Sequence, residues 1–269
     1  MTTPVSLTVP QFTANPGPLA ELAGWAPTAG IAGLFAFDHL VPIGDPKRPV
    51  LEGVATLGLL AAISPPALRV GSLVMRVSLR PPPVTAAVAQ TLSAVALAPP
   101  VLGLGVGDRF SEEEGARFDL VPPGLDERLG LLEETIGLVR ERAPAAEIWV
   151  GGIHPRVRRA ALLADGWNGW SLEPDELTRL TEELRGESSG LKLTWGGGVL
   201  LASSQAELGE MLERRSAIAA NQPISGTPPQ IVEELSRRAQ LVDELVVSVL
   251  PNRRATWDLF AGEVLPHLD

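Results

Sequence analysis

Short apolar runs and longer Ala- and Leu-rich segments alternate along the whole chain. The short runs are Val5–Val9, Gly33–Phe37, Leu68–Val74, Val101–Val106, Ile148–Val150, Gly166–Trp170, Leu193–Leu201 and Leu245–Val249. Helix-like segments separate them, the plainest being Leu125–Arg142. There Leu125, Leu129, Leu132, Ile136 and Val139 follow one another at spacings of four and three, which places them on one helical face. Further helices are expected over Leu19–Ala29, Val54–Ile63, Pro83–Val95, Pro155–Ala164, Leu177–Leu184, Ile231–Ala239 and Arg254–Leu265, and another opens at the capping-box pair Ser204 and Glu207. No Asn-Gly hairpin turn joins neighbouring runs, and strands separated by helices pair in parallel. Eight such units in 269 residues have the size of a (β/α)8 TIM barrel formed as one domain over residues 1–269. An open doubly wound sheet is the structural competitor. The Gly196-Gly197-Gly198 run inside the seventh strand predicts a bulge or kink, and Asn221–Gly226 reads as a surface loop.

Composition narrows the chemistry. The 32 acidic against 22 basic residues give a formal net charge of -10, which speaks against nucleic acid or an anionic membrane as partner. With no cysteine, the chain lacks disulfides, zinc ribbons, iron–sulfur clusters and thiol catalysis. Its three histidines, His39, His154 and His267, lie far apart, so no metal site is expected. The first ten residues have neither a basic region nor a long apolar core, which reads as cytoplasmic.

In a barrel the residues just beyond each strand form the ligand-binding face. Beyond the second strand stands Asp38-His39. An acid beside an imidazole at a strand end suits proton transfer near neutral pH; a loop histidine bonded to backbone is the plainer reading. Arg76 and then Arg80 follow the third strand; Arg76 could meet an anion or pair with a carboxylate, or form an ordinary surface pair. Beyond the fourth come Gly103, Gly105, Gly107 and Asp108, whose alternate glycines admit either a flat ring or a closely packed neighbouring backbone. Glu112, Glu113 and Glu114 read as a solvated helix start. Gly151-Gly152, followed by Pro155-Arg156, offers backbone N–H groups and a guanidinium to an anion, or is a plain strand-to-helix turn. Trp167 and Trp170 belong either to the core or to a pocket wall.

The order of these pieces resembles the bacterial luciferase-like monooxygenase family, whose members include FMN-dependent monooxygenases and deazaflavin (F420)-dependent oxidoreductases. The resemblance rests on Asp38-His39-Leu40, on Gly71–Val74 with Arg80-Pro81, on Leu102–Gly107 with Glu127-Arg128 and Leu132–Glu134, and on Val150–Arg156 with Ala164–Asn168. It spans roughly residues 32–250, and Gly226-Thr227-Pro228 is similar to a late family feature. It implies a shortened luciferase-like barrel with a cofactor at its C-terminal mouth. By that likeness Gly151, Gly152 and Arg156 would hold a phosphate, and Ser72 and Leu73 would lie behind the ring, where the family often has a non-proline cis peptide. Gly105, Gly107 and Asp108 would border the ring, and His39, beside Asp38, would move the proton. The implied activity is F420-dependent hydride transfer with an organic substrate. FMN-dependent monooxygenation is the alternative, and a trimmed barrel that binds flavin without turnover is the third reading. A homodimer is implied as well. The stretch Ala94–Pro100 departs from the family pattern: it lacks the usual Ser-x-Gly-Arg segment.

Overall fold

The computed structural model describes residues 3–42, 47–214 and 223–268. Its strands are β1 (Val5–Thr8), β2 (Gly33–Ala36), β3 (Arg69–Ser72), β4 (Met75–Arg76), β5 (Val101–Gly105), β6 (Glu147–Gly151), β7 (Gly166–Trp170), β8 (Lys192–Leu201), β9 (Ile224–Gly226) and β10 (Glu244–Leu250). All pairings are parallel, in the order β1–β2–β3–β5–β6–β7–β8–β10, and β10 returns to β1. That closure makes an eight-stranded barrel and rules out the open sheet. Each apolar run of the sequence is one barrel strand. The two further strands are short: β4 continues beyond β3 and pairs Met75 with Leu104, while β9 pairs Ile224 with Val199. The expected loop at Asn221–Gly226 therefore supplies a strand, and residues 221 and 222 lie outside the described set.

The helices are α1 (Gly17–Trp25), α2 (Gly53–Ile63), α3 (Pro82–Val95), α4 (Arg109–Gly115), α5 (Leu125–Arg142), α6 (Pro155–Ala161), α7 (Pro174–Glu187), α8 (Gln205–Arg214), α9 (Pro228–Ala239) and α10 (Arg254–Glu263). Proline occupies a first-turn position in α1, α3, α6, α7 and α9. There its fixed φ favours the helix, and the missing N–H would have had no helical partner anyway. On α5 the buried face is Leu129, Leu132, Thr135, Ile136 and Val139, as the spacing requires. At α8 the Ser204 hydroxyl accepts the Glu207 N–H at 3.2 Å, but the Glu207 carboxylate reaches past Ser204 to the N–H and hydroxyl of Ser203. Among the described residues no helix is long and apolar enough to cross a membrane.

The three-glycine run makes no bulge. β8 stays in unbroken register with β10 from Thr194–Glu244 to Leu200–Leu250. The glycines are there for volume instead. A Cβ on Gly196 would sit 2.6 Å from the Trp170 ring, and one on Gly197 would sit 2.3 Å from the Trp195 ring.

Charge fills the N-terminal end of the barrel. Arg69, Glu147, Lys192 and Glu244 are the first residues of β3, β6, β8 and β10. Glu244 is fully buried; it accepts from Ser6 Oγ at 2.5 Å, from Arg69 Nη2 at 2.5 Å and from Lys192 Nζ at 2.8 Å. Glu147 pairs with Arg69 at 3.3 Å and takes the Trp149 indole N–H at 2.7 Å. Phe35, Leu73, Val101, Trp149 and Val246 form an apolar cluster of their own, with Phe35 stacked on Trp149 at 5.2 Å between centroids. Removing one member of a buried ionic cluster strands the charges left behind. Glu244→Ala should therefore cost about 3–5 kcal/mol, read as a lower urea midpoint with an unchanged slope. A loss below about 1 kcal/mol would put the cluster in the class of exposed ion pairs.

Candidate active site

The loop after β2 carries two of the expected residues, and each is held by charge. Asp38 is buried, and its carboxylate takes Arg80 Nη1 at 2.8 Å and Nη2 at 2.9 Å, together with the Arg76 N–H at 2.8 Å. Burial works against the charge on Arg80, yet the hydrogen bonds and charges of Asp38 and Glu52 hold its pKa above the ordinary value. Asp38 is thus committed to anchoring the loop that carries His39.

His39 is partly exposed. Its Nδ1 lies 3.2 Å from Glu114 Oε2, and the rings of Phe12 and Phe37 lie near it at 6.2 and 6.1 Å between centroids. The carboxylate of Glu114 also takes Arg76 Nη1 at 2.9 Å, the Val41 N–H at 2.8 Å and the Leu40 N–H. This corrects the expectation of a solvated acidic run. Glu113 is exposed, but Glu114 is buried, because α4 lays its last turn across residues 39–41. The side chain of Glu112 lies outside the described set. Arg76, for which a carboxylate partner was one reading, is buried against Glu114 and also donates through Nη2 to the Asp38 carbonyl.

At the end of β3 the Ser72 hydroxyl donates to the Gly103 carbonyl at 2.8 Å, and the Leu73–Val74 peptide bond is cis. A non-proline cis bond at this place is what the family resemblance implies. The glycines of β5 and β6 make room for this segment. A Cβ on Gly103 would sit 2.1 Å from the Ser72 carbonyl oxygen. On Gly105 and Gly151 it would sit 2.4 and 2.7 Å from the Val74 methyls. Close packing therefore accounts for Gly103, Gly105 and Gly151, and Val74 occupies the space they leave. Gly107 has a φ of 79°, a turn conformation that favours glycine. Asp108 caps α4, its Oδ1 accepting the N–H and hydroxyl of Ser111, each at 2.9 Å.

Beyond β6, Gly152 has a φ of 138°; its N–H donates to the Asn168 carbonyl, and its own carbonyl takes the Trp167 indole N–H at 2.9 Å. His154 Nδ1 accepts the Arg156 N–H at 3.2 Å. Two backbone donors of the expected anion loop are thus used within the chain. The Ile153 and His154 N–H groups have no partner among the described residues. The Arg156 guanidinium is exposed and pairs with exposed Asp126 at the start of α5. Trp167 is core, whereas Trp170 is partly exposed and meets the Phe37 ring edge-on at 5.5 Å.

Asp38, His39, Ser72, Leu73, Gly105 and Gly151 therefore stand at the C-terminal ends of four consecutive barrel strands. Gly107, Asp108, Gly152 and Arg156 lie just beyond two of them. Sequence reasoning missed Glu114 and Val74. Among the described residues no group of His, Asp and Glu side chains is arranged to hold a metal ion.

No protein-family model matches the chain, and no curated protein does. Solved structures do match in shape. One is an F420-dependent secondary alcohol dehydrogenase in complex with an F420-acetone adduct, with a TM-score of 0.78 and 13% identity over 100% of both chains. A second is the coenzyme F420-dependent tetrahydromethanopterin reductase of Methanopyrus kandleri, with a TM-score of 0.74 and 14% identity over 100% of this chain and 99% of that one. A third is the oxygenating constituent of 3,6-diketocamphane monooxygenase from Pseudomonas putida in complex with FMN, with a TM-score of 0.71 and 13% identity over 99% of each chain. At such identities the likeness establishes the fold.

Asp38→Ala should leave Arg80 and the Arg76 N–H without their buried acceptor, at a cost of about 3 kcal/mol or more in chemical unfolding. Wild-type stability in that variant would show that the carboxylate does not hold the loop.

Proposed function

We propose that this chain is an F420-dependent oxidoreductase of luciferase-like type, with the cofactor at the barrel mouth and a hydride passing between it and an organic substrate. The observation that carries the reading is His39 at the end of β2, its Nδ1 against Glu114, in the same barrel face as the Leu73–Val74 segment. F420, when bound, supplies a ring that accepts or donates hydride. The chain's residues suit such a group. Leu73 and Val74 would lie behind the ring, with Gly105 and Gly151 keeping Val74 in place. Gly107 and Asp108 would border it. The phosphate would rest on the Gly151–Arg156 loop, where the Ile153 and His154 N–H groups remain for an anion and the Arg156 guanidinium would exchange the exposed Asp126 for it. His39 would give or take the proton at an imidazole nitrogen, held in place by the loop that Asp38 anchors.

FMN is the alternative cofactor, since a structure of the same shape is in complex with FMN. Fluorescence titration with each cofactor separates the two: tight F420 and weak FMN binding is expected, and the reverse would move the assignment to an FMN-dependent monooxygenase. Binding of neither would mean a fold without its cofactor. Arg156→Ala should weaken F420 binding by about 1.5–3 kcal/mol, the contribution of a charged hydrogen bond, and unchanged affinity would put the phosphate elsewhere. His39→Ala should slow turnover by about 10²–10⁴-fold while leaving cofactor affinity nearly intact.

The partner expected for the protein is a second copy of the chain. α2 and α3 contain no charged residue, and their exposed positions include Ala55, Leu59, Ala62, Ile63, Val84 and Ala87. Apolar helix faces of this kind suit a two-fold interface. Light scattering should give a dimer that Leu59→Arg converts to monomer; a monomeric wild type would dispose of the idea.

A further inference from the structure

Glu114 is buried although it belongs to an acidic run. We infer that it is the positioning residue of His39: its buried carboxylate fixes the imidazole as the Nδ1–H tautomer and leaves Nε2 as the nitrogen with the free lone pair.

The count of donors carries this. An ionised carboxylate is an acceptor only, with about four lone-pair sites on its two oxygens. Glu114 Oε1 accepts from the backbone N–H groups of Leu40 and Val41. Its Oε2 faces Arg76 Nη1 at 2.9 Å and His39 Nδ1 at 3.2 Å. Three of the four neighbours can only donate, and one of them is a guanidinium. The remaining site then requires a proton on Nδ1. The opposite tautomer would set an imidazole lone pair against a carboxylate lone pair at that distance. Which ring nitrogen of a histidine is protonated is set by the partner of the other. Here Nδ1 has the partner, and Nε2 has none among the described residues.

The geometry also joins the tautomer to the shape of the mouth. The same carboxylate that faces His39 ties α4 to the backbone of residues 40 and 41 and to Arg76 of β4. His39 is thereby oriented by a residue 75 positions away in the sequence. Its significance for proton transfer rests on the function proposed above, but the tautomer is a property of the protein alone.

The test is a long-range ¹H–¹⁵N correlation spectrum of the uniformly ¹⁵N-labelled full chain, recorded at mildly alkaline pH. Only three histidines contribute, and His39→Gln identifies the signals of His39 by their loss. The wild type should show a protonated Nδ1 and an unprotonated Nε2 at His39. In Glu114→Gln the side chain presents an amide NH2 in place of one acceptor oxygen, and the preference should fall to a mixture of tautomers or reverse. An Nε2–H tautomer in the wild type would overturn the inference, and so would a folded Glu114→Gln protein with an unchanged His39 pattern. The wild-type spectrum decides the matter even where the variant does not fold. Neither cofactor nor substrate is needed, so failure here is distinct from failure of the proposed function.

Discussion

Arg76 ties three separate pieces of chain together at one point. Its guanidinium donates to Glu114 on α4 and to the Asp38 carbonyl, and its backbone N–H donates to the Asp38 carboxylate. The loop after β2, the short strand β4 and the helix after β5 are all fixed by this one side chain and its acids. Buried charges of this kind persist only when each has its partners, because desolvation is otherwise costly. Arg80 completes the arrangement from the far side of Asp38. The consequence is a mouth in which His39 has a defined neighbour on one nitrogen, although it sits in a loop.

The opposite end of the barrel follows the same rule for a different purpose. There Glu244, Glu147, Arg69 and Lys192 close the bottom with a cluster drawn from the first residues of four strands. Between the two charged ends lies an apolar layer built on Phe35 and Trp149. Chemistry in this architecture belongs to the C-terminal ends of the strands, and the N-terminal end serves stability. The charge distribution of this chain fits that division: the bottom cluster uses its groups on one another, while the top leaves His39 Nε2 without a partner among the described residues.

The barrel was legible in the sequence because each strand is an apolar run bounded by turn residues, and all eight runs became barrel strands. The two short strands were not, since two or three residues carry no periodicity. The glycine run at 196–198 was misread because its cause is the volume of two tryptophan rings, one of them on a neighbouring strand. Asp38-His39 could be placed at a strand end from spacing alone. Glu114 could not be separated from Glu113, because its partners Arg76 and His39 are 38 and 75 residues distant. Local spacing records which face of a helix is apolar; it does not record which acid of a run meets a buried arginine. The Gly151–Arg156 loop was only half legible for the same reason. Its glycines are visible, but the loss of the Gly152 N–H to Asn168 depends on the next strand.

The function proposed above places a deazaflavin ring against Leu73 and Val74 with its phosphate at the Gly151–Arg156 loop. A crystal structure of the protein grown with F420 tests it most directly. Ring density is expected over the Leu73–Val74 segment within reach of His39, and phosphate density against Ile153, His154 and Arg156. Cofactor density anywhere else, or a ring held away from His39, would contradict it.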